Sequence, residues 1–186
     1  MKLGTTFASM FTAAALLAVP GFAGSAKTPE PVKNANLESD IRHAINTLAY
    51  YDVFDDLSFR IADDGTVTLL GEVTRYNVRN NAGSAVKHIA GVTKVDNQIE
   101  VLPLSYFDDN IRIRAYNAIF GFPALSRYSL NSRSPIRIIV KNGNITLAGV
   151  VNSELDRRLV EMRIRALPNT FSVTNHLRLD SEVAVD

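Results

Sequence analysis

Cysteine and tryptophan are both absent, and methionine and histidine occur only three times each among the 186 residues. Without cysteine the chain has no disulfide, no thiolate nucleophile, no Cys-based zinc site and no residue to carry a lipoprotein anchor. The histidines His43, His88 and His176 show no ligand spacing of the HExxH kind, so no metal centre is expected. No serine stands in a G-x-S-x-G or triad context, and no glycine-rich phosphate loop is present. Two pairs of neighbouring carboxylates remain, Asp63-Asp64 and Asp108-Asp109. A turn signal and a helix start account for them better than acid–base chemistry does. Neither a catalytic residue nor a cofactor is expected.

Long apolar runs are equally scarce, and the one that exists is at the start. Lys2 is followed by the mostly apolar stretch Phe7–Val19, then by Pro20-Gly21 and small residues through Ala26. This is the pattern of a cleavable export signal over residues 1–26, with cuts after Ala23 or Ala26. The run is short for a membrane anchor, and no later stretch could span a bilayer. Residues 27–36, KTPEPVKNAN, read as a flexible leader. A soluble periplasmic protein is therefore expected.

What the rest of the chain has is a repeat. Residues 65–71 read GTVTLLG and residues 143–149 read GNITLAG. The 78-residue offset holds without a gap from Gly65/Gly143 to Val101/Leu179, and eight of the 37 pairs are identical. Chance would give about two or three at ordinary residue frequencies. The chain contains a duplication, with copies at 37–103 and 104–180 and a short acidic tail at 181–186. The join at Pro103–Asp108 is so short that the copies should touch while keeping separate cores.

Periodicity gives the elements of each copy. In the first, a helix from Ser39 or Asp40 lines up Ile41, Ala44, Ile45 and Leu48. Leu57–Ala62 and Val67–Val73 form a hairpin about Asp63-Asp64-Gly65. Val78, Ala82, Val86 and Ile89 share one face of a second helix ended by Gly91, and Val95, Ile99 and Val101 alternate along a last strand. The second copy repeats the order: a helix from Asp108–Asp109, strands Ile136–Val140 and Ile145–Val151 about Asn142-Gly143, a helix Glu154–Leu167, and a strand Val173–Leu179. The fold class is α+β: two tandem α-β-β-α-β modules, each a small three-stranded sheet covered by two helices.

The G-x-[VI]-T-L-x-G hairpin and the closing V-x-N-x-[IL]-x-[VL] strand resemble the BON module of osmotically induced periplasmic and nodulation proteins. The matching positions are Gly65, Thr68, Leu69, Gly71, Val95 and Asn97, then Gly143, Thr146, Leu147, Gly149, Val173 and Asn175. The first copy also has the family's Gly91-Val92, where the second has Asn169-Thr170. The second copy carries about eight extra residues within FGFPALSRYSLNSRSP. The resemblance implies attachment to the cell envelope, chiefly to phospholipid surfaces and sometimes within a larger complex, without enzymatic activity. The motif residues themselves are explained by structure: glycines for turns, Thr and Leu for strand positions, Asn for backbone at a strand edge.

Charge is divided between the copies. Residues 37–103 hold ten acidic and six basic side chains, net −4, and residues 104–180 hold six acidic and eleven basic, net +5. Such a half could attract an anionic phospholipid surface, dock on the acidic half, or simply be solvated. An exported chain that is neutral once Lys2 is removed is a poor nucleic-acid binder. On the helix 154–167, Val160, Ile164 and Leu167 should face the core, yet Leu155, Leu159, Met162 and Ala166 recur on another side where the first copy has Asn77, Asn81, Ser84 and His88. Leu155, Leu159 and Met162, edged by Arg157, Arg158 and Arg165, are the candidate contact for an anionic phospholipid surface. The alternative occupants are a protein partner in an envelope or stress-response complex, the other copy, or the insertion (Phe120, Phe122, Leu125, Tyr128) folded over the stripe.

Overall fold

The computed structural model describes residues 34–129 and 134–183. The expected signal segment, the leader up to residue 33 and the last three residues of the tail lie outside the described residues.

The first module runs α1 (Asn34–Asn46), β1 (Asp56–Ile61), β2 (Thr66–Val73), α2 (Tyr76–Lys87), β3 (Lys94–Asn97) and β4 (Glu100–Val101). The second runs α3 (Tyr106–Phe120), a 3-10 turn at Ser126–Tyr128, β5 (Ile136–Lys141), β6 (Asn144–Val151), α4 (Glu154–Arg165), β7 (Ser172–Leu179) and the four-residue α5 (Asp180–Val183). In each module two strands form an antiparallel hairpin, and the closing strand pairs in parallel with the hairpin's second strand. A parallel neighbour requires a crossover, and α2 and α4 supply it. The architecture is the α+β tandem duplication read from the repeat.

Most element ends lie within a residue or two of the sequence reading, as where α4 ends at Arg165 and not Leu167, and three differences have a physical cause. Helix α1 starts at Asn34, not Ser39, because Leu37 lies one turn ahead of Ile41 and extends the same buried stripe. Helix α3 starts at Tyr106, with the Ser105 hydroxyl accepting from the Asp108 N–H, so the cap is Ser105 and not the aspartate pair. The closing strand of the first module is broken at Gln98-Ile99, whereas β7 is continuous over eight residues. Register on β2 is the same before and after the break.

The modules have separate cores. Ile41, Val67, Leu69, Val78, Ala82 and Val86 centre the first; Ile111, Ala115, Ile138, Leu147, Val160 and Ile164 centre the second. The repeated glycines at the hairpin's far end have one cause. Gly71 and Gly149 sit at φ +117° and +107°, and a Cβ there would stand 2.1 Å from the Asp56 oxygen or 1.9 Å from the Pro135 oxygen. The repeated asparagines tie the last strand to the helix. Asn97 Oδ1 accepts from the Ile99 N–H and its amide donates to the Arg79 carbonyl; Asn175 accepts from Leu177 and donates to Glu161.

The outer edge of β5 is closed by its surroundings. The Ile136 N–H donates to Ser134 Oγ, the Ile138 N–H donates to the Val53 carbonyl of the first module, and the buried Arg112 donates to the Val140 carbonyl. An edge strand without such partners would invite another chain.

Candidate binding surface of the second module

Among the described residues four charged side chains are buried, and each has a structural task. Asp55 accepts from the Thr74 N–H and hydroxyl and from the Asp52 N–H, fixing the corner after β2. Burial pushes its carboxyl above the ordinary range despite those bonds. Asp108 accepts from the N–H groups of Asn142 and Gly143, pinning the second hairpin turn to the start of α3. Arg112 bridges Asp109 and the Val140 carbonyl. Asp156 takes donations from Ser153, Tyr128 and Arg127. Burial works against its charge, but these three donors outweigh it and hold the carboxyl below the usual value.

Asp156 is a charged residue at a core position of α4. It is 4 % exposed and lies on the core side, where the repeat puts Val78 of the first module. The 78-residue offset pointed to this position. Its partners could not be read, because Arg127 and Tyr128 stand in the insertion, which has no counterpart in the first copy. The insertion enters the core: Leu125 and Tyr128 are buried there with Phe120, the last residue of α3, while Phe122 packs against it under the Arg163 guanidinium, 4.8 Å from the ring centre.

The α4 stripe is divided by this arrangement. Leu159 packs against the core to which the insertion contributes, whereas Leu155 and Met162 are 73 % and 60 % exposed. The flanking arginines pair on their own helix: Arg157 and Arg158 with Glu154, and Arg165 with Glu161. Such i,i+3 and i,i+4 pairs sit on the surface, and with three arginines sharing two glutamates they leave one net positive charge.

A larger exposed apolar group lies where the second module begins. Leu104 and Tyr106 are almost fully exposed, and Phe107 and Phe171 stack loosely at 6.3 Å beside the Asn142-Gly143 turn. Ile113, two turns along α3 from Tyr106, is also exposed. The signal in the sequence was Leu104-Ser-Tyr-Phe, three large apolar residues in a four-residue join. It was overlooked because α3 carries apolar residues on both faces, which flattens its periodicity.

The charge asymmetry is partly consumed between the modules. Lys141 pairs with Glu100 at 2.7 Å and Glu72 at 3.5 Å, and Arg137 donates to the Asp52 carbonyl while lying 4.6 Å over the Tyr51 ring. Among the described residues no cluster of His, Cys, Asp or Glu could hold a metal, and no helix is long and apolar enough to cross a membrane.

Two copies of one small α-β-β-α-β module, each with glycines at the same turns and an asparagine on the closing strand, define a tandem α+β module protein. The chain belongs to the BON domain family, whose model matches residues 33–103 and 124–181. Two solved chains of CdsD, a structural protein of the type III secretion system of Chlamydia trachomatis, are similar. One, its C-terminal domain, is 15% identical, over 82% of this chain and 68% of that one, with a TM-score of 0.31. The other is 14% identical, over 81% and 96%, with a TM-score of 0.29. No curated protein matches the chain.

Proposed function

We propose that this protein is a non-enzymatic, exported component of the cell envelope that attaches to a phospholipid surface through its second module. The observation that carries this reading is the exposed apolar group Leu104, Tyr106, Phe107 and Phe171 on a module with a net positive count. Leu and aromatic side chains of this kind partition to the headgroup boundary, and nearby Lys or Arg add attraction to anionic lipid. Leu155 and Met162 on α4, with Arg157, Arg158 and Arg165, form the second candidate contact. Because those arginines are paired with glutamates, apolar contact outweighs charge, and salt should weaken attachment without abolishing it.

The same pairing favours one other reading, in which the exposed residues meet a protein partner of an envelope or stress-response complex. Sedimentation with vesicles of phosphatidylglycerol or phosphatidylcholine, titrated with salt, separates the two. The lipid reading expects co-sedimentation with phosphatidylglycerol that is lost in Tyr106→Ser/Phe171→Ser or in Leu155→Ser/Met162→Ser, which also assigns the face. A protein that stays in the supernatant with both vesicles at low salt is not a lipid binder, and the partner reading takes its place.

A further inference from the structure

The duplication supplies an internal control for every position of the second sheet. Arg137, Ala148 and His176 lie side by side across β5, β6 and β7, and Arg178 follows on the same face of β7 two residues on. The corresponding residues of the first module are Ser58, opposite Leu70, then Gln98 and Glu100. The shared backbone therefore carries Ser, Leu, Gln and Glu in one copy and Arg, Ala, His and Arg in the other. Charge has moved from acidic to basic, and the central side chain has shrunk from leucine to alanine, at a single spot.

That spot is the floor of a cleft of about 740 Å³, walled by α1 and β1 of the first module. Arg137 is held from the side by Tyr51 and the Asp52 carbonyl, which position its guanidinium without neutralising it. Among the described residues neither Arg137, Arg178 nor His176 has an ion-pair partner within 4.0 Å. Phe59 adds an apolar surface; two carboxylates also line the cleft, Glu38, which is paired with Arg42, and Asp56, which feels the Arg137 charge. We propose that this cleft binds a phosphate ester, with Arg137, His176 and Arg178 around the phosphoryl oxygens and Ala148 leaving the room they need. Arginine forks match oxyanions in shape as well as charge, and the volume falls within the roughly 300–1,000 Å³ range of small-molecule sites. The site is separate from the exposed apolar residues of α3 and α4, and neither proposal depends on the other.

The test is a side-chain NMR titration of the purified chain with glycerol 3-phosphate, with glycerol as the neutral control and phosphatidylglycerol vesicles as a second arm. Saturable shifts of the Arg137, His176 and Arg178 side-chain signals with glycerol 3-phosphate are expected, the Arg137 signal being the one that can also be followed in the variants. Affinity should fall at least about tenfold in Ala148→Leu/His176→Gln/Arg178→Glu, which installs the residues the first module already carries on this backbone. If that variant loses its folded amide spectrum, Arg178→Glu alone serves. Asp56→Asn, which removes the opposing carboxylate, should tighten binding. Signals that move with the vesicles and not with glycerol 3-phosphate, and stay still in the variant, would assign the phosphate to a lipid headgroup. No response to either probe, or an equal response in the variant, overturns the proposal.

Discussion

The two modules solve one structural problem in two ways. After the second strand of each hairpin the chain turns into a helix, and the N–H at the corner must find an acceptor. In the first module the Thr74 N–H goes to the Asp55 carboxylate at 2.6 Å. In the second the Asn152 N–H goes to the Tyr128 hydroxyl at 2.9 Å, and Tyr128 in turn donates to Asp156. Where the first module has the core valine Val78, the second has a buried aspartate, and its insertion carries the arginine and tyrosine that satisfy it. A similar exchange occurs at the closing strand. Gly83 leaves room for the Asn97 amide, since a Cβ there would stand 2.8 Å from Nδ2, while its counterpart Glu161 becomes the acceptor for Asn175. The backbone tolerates different polar joints as long as the carboxylate, amide and hydroxyl groups at each joint are paired.

If this account is right, what the copies share should be costlier to change than what distinguishes them. Gly149→Val and Gly71→Val carry the largest expected effect, a loss of about 3 kcal/mol or more in urea unfolding, because positive φ and contact with backbone oxygen coincide. Gly83→Ala, whose obstacle is a movable side chain, should cost about 1 kcal/mol or less. Equal losses at Gly149 and Gly83 would show that the shared glycine has no special role.

Asp156→Ala ranks next, at about 2–3 kcal/mol, since it strands the buried Tyr128 hydroxyl. The two buried acids also predict opposite responses to pH. Asp156 is held below its unfolded value of about 3.9, so its contribution is present above that pH and disappears as pH falls through the folded value. Asp55 is raised by burial, so its contribution is complete below about pH 3.9 and fades as pH rises through the folded value. Stability against pH should therefore lose part of its acid decline in Asp156→Asn and decline more steeply in acid in Asp55→Asn. Slopes that change in the same sense would refute the contrast.

Local features of this chain are legible in its sequence, and long-range polar contacts are not. The hairpins, the helix faces and the paired glycines follow from local periodicity and turn chemistry, and all of them appear in the structure. The polar joints do not, because their partners lie far apart: Arg127 and Tyr128 reach Asp156 across 29 and 28 residues, and Asp108 reaches the Asn142-Gly143 turn across 34 and 35. The exposed join at Leu104–Phe107 was visible as composition, but whether such residues are covered depends on what packs above them. The cleft floor became visible only when strand register was combined with the repeat.

The smallest expected effect concerns the junction between the modules, and it sets packing against charge. Phe54 packs against the second module's core, with its ring 6.3 Å from Tyr116, and neighbouring Val53 accepts the Ile138 N–H. Lys141 pairs with Glu100 and Glu72 nearby, but its side chain is 37 % exposed and Glu100 is 51 % exposed. Apolar contact removed from water is retained in salt, whereas exposed ion pairs gain little and are screened. Phe54→Ala should therefore destabilise the pair of modules by about 1–2 kcal/mol at any ionic strength, the partial burial keeping it below a full core deletion. Lys141→Ala should cost no more than about 0.5 kcal/mol, and less as salt is added. Urea unfolding of both variants at low and high salt checks this. A larger loss for Lys141→Ala than for Phe54→Ala would mean that the opposite charges of the copies, and not the partly buried loop at Val53–Phe54, hold them together.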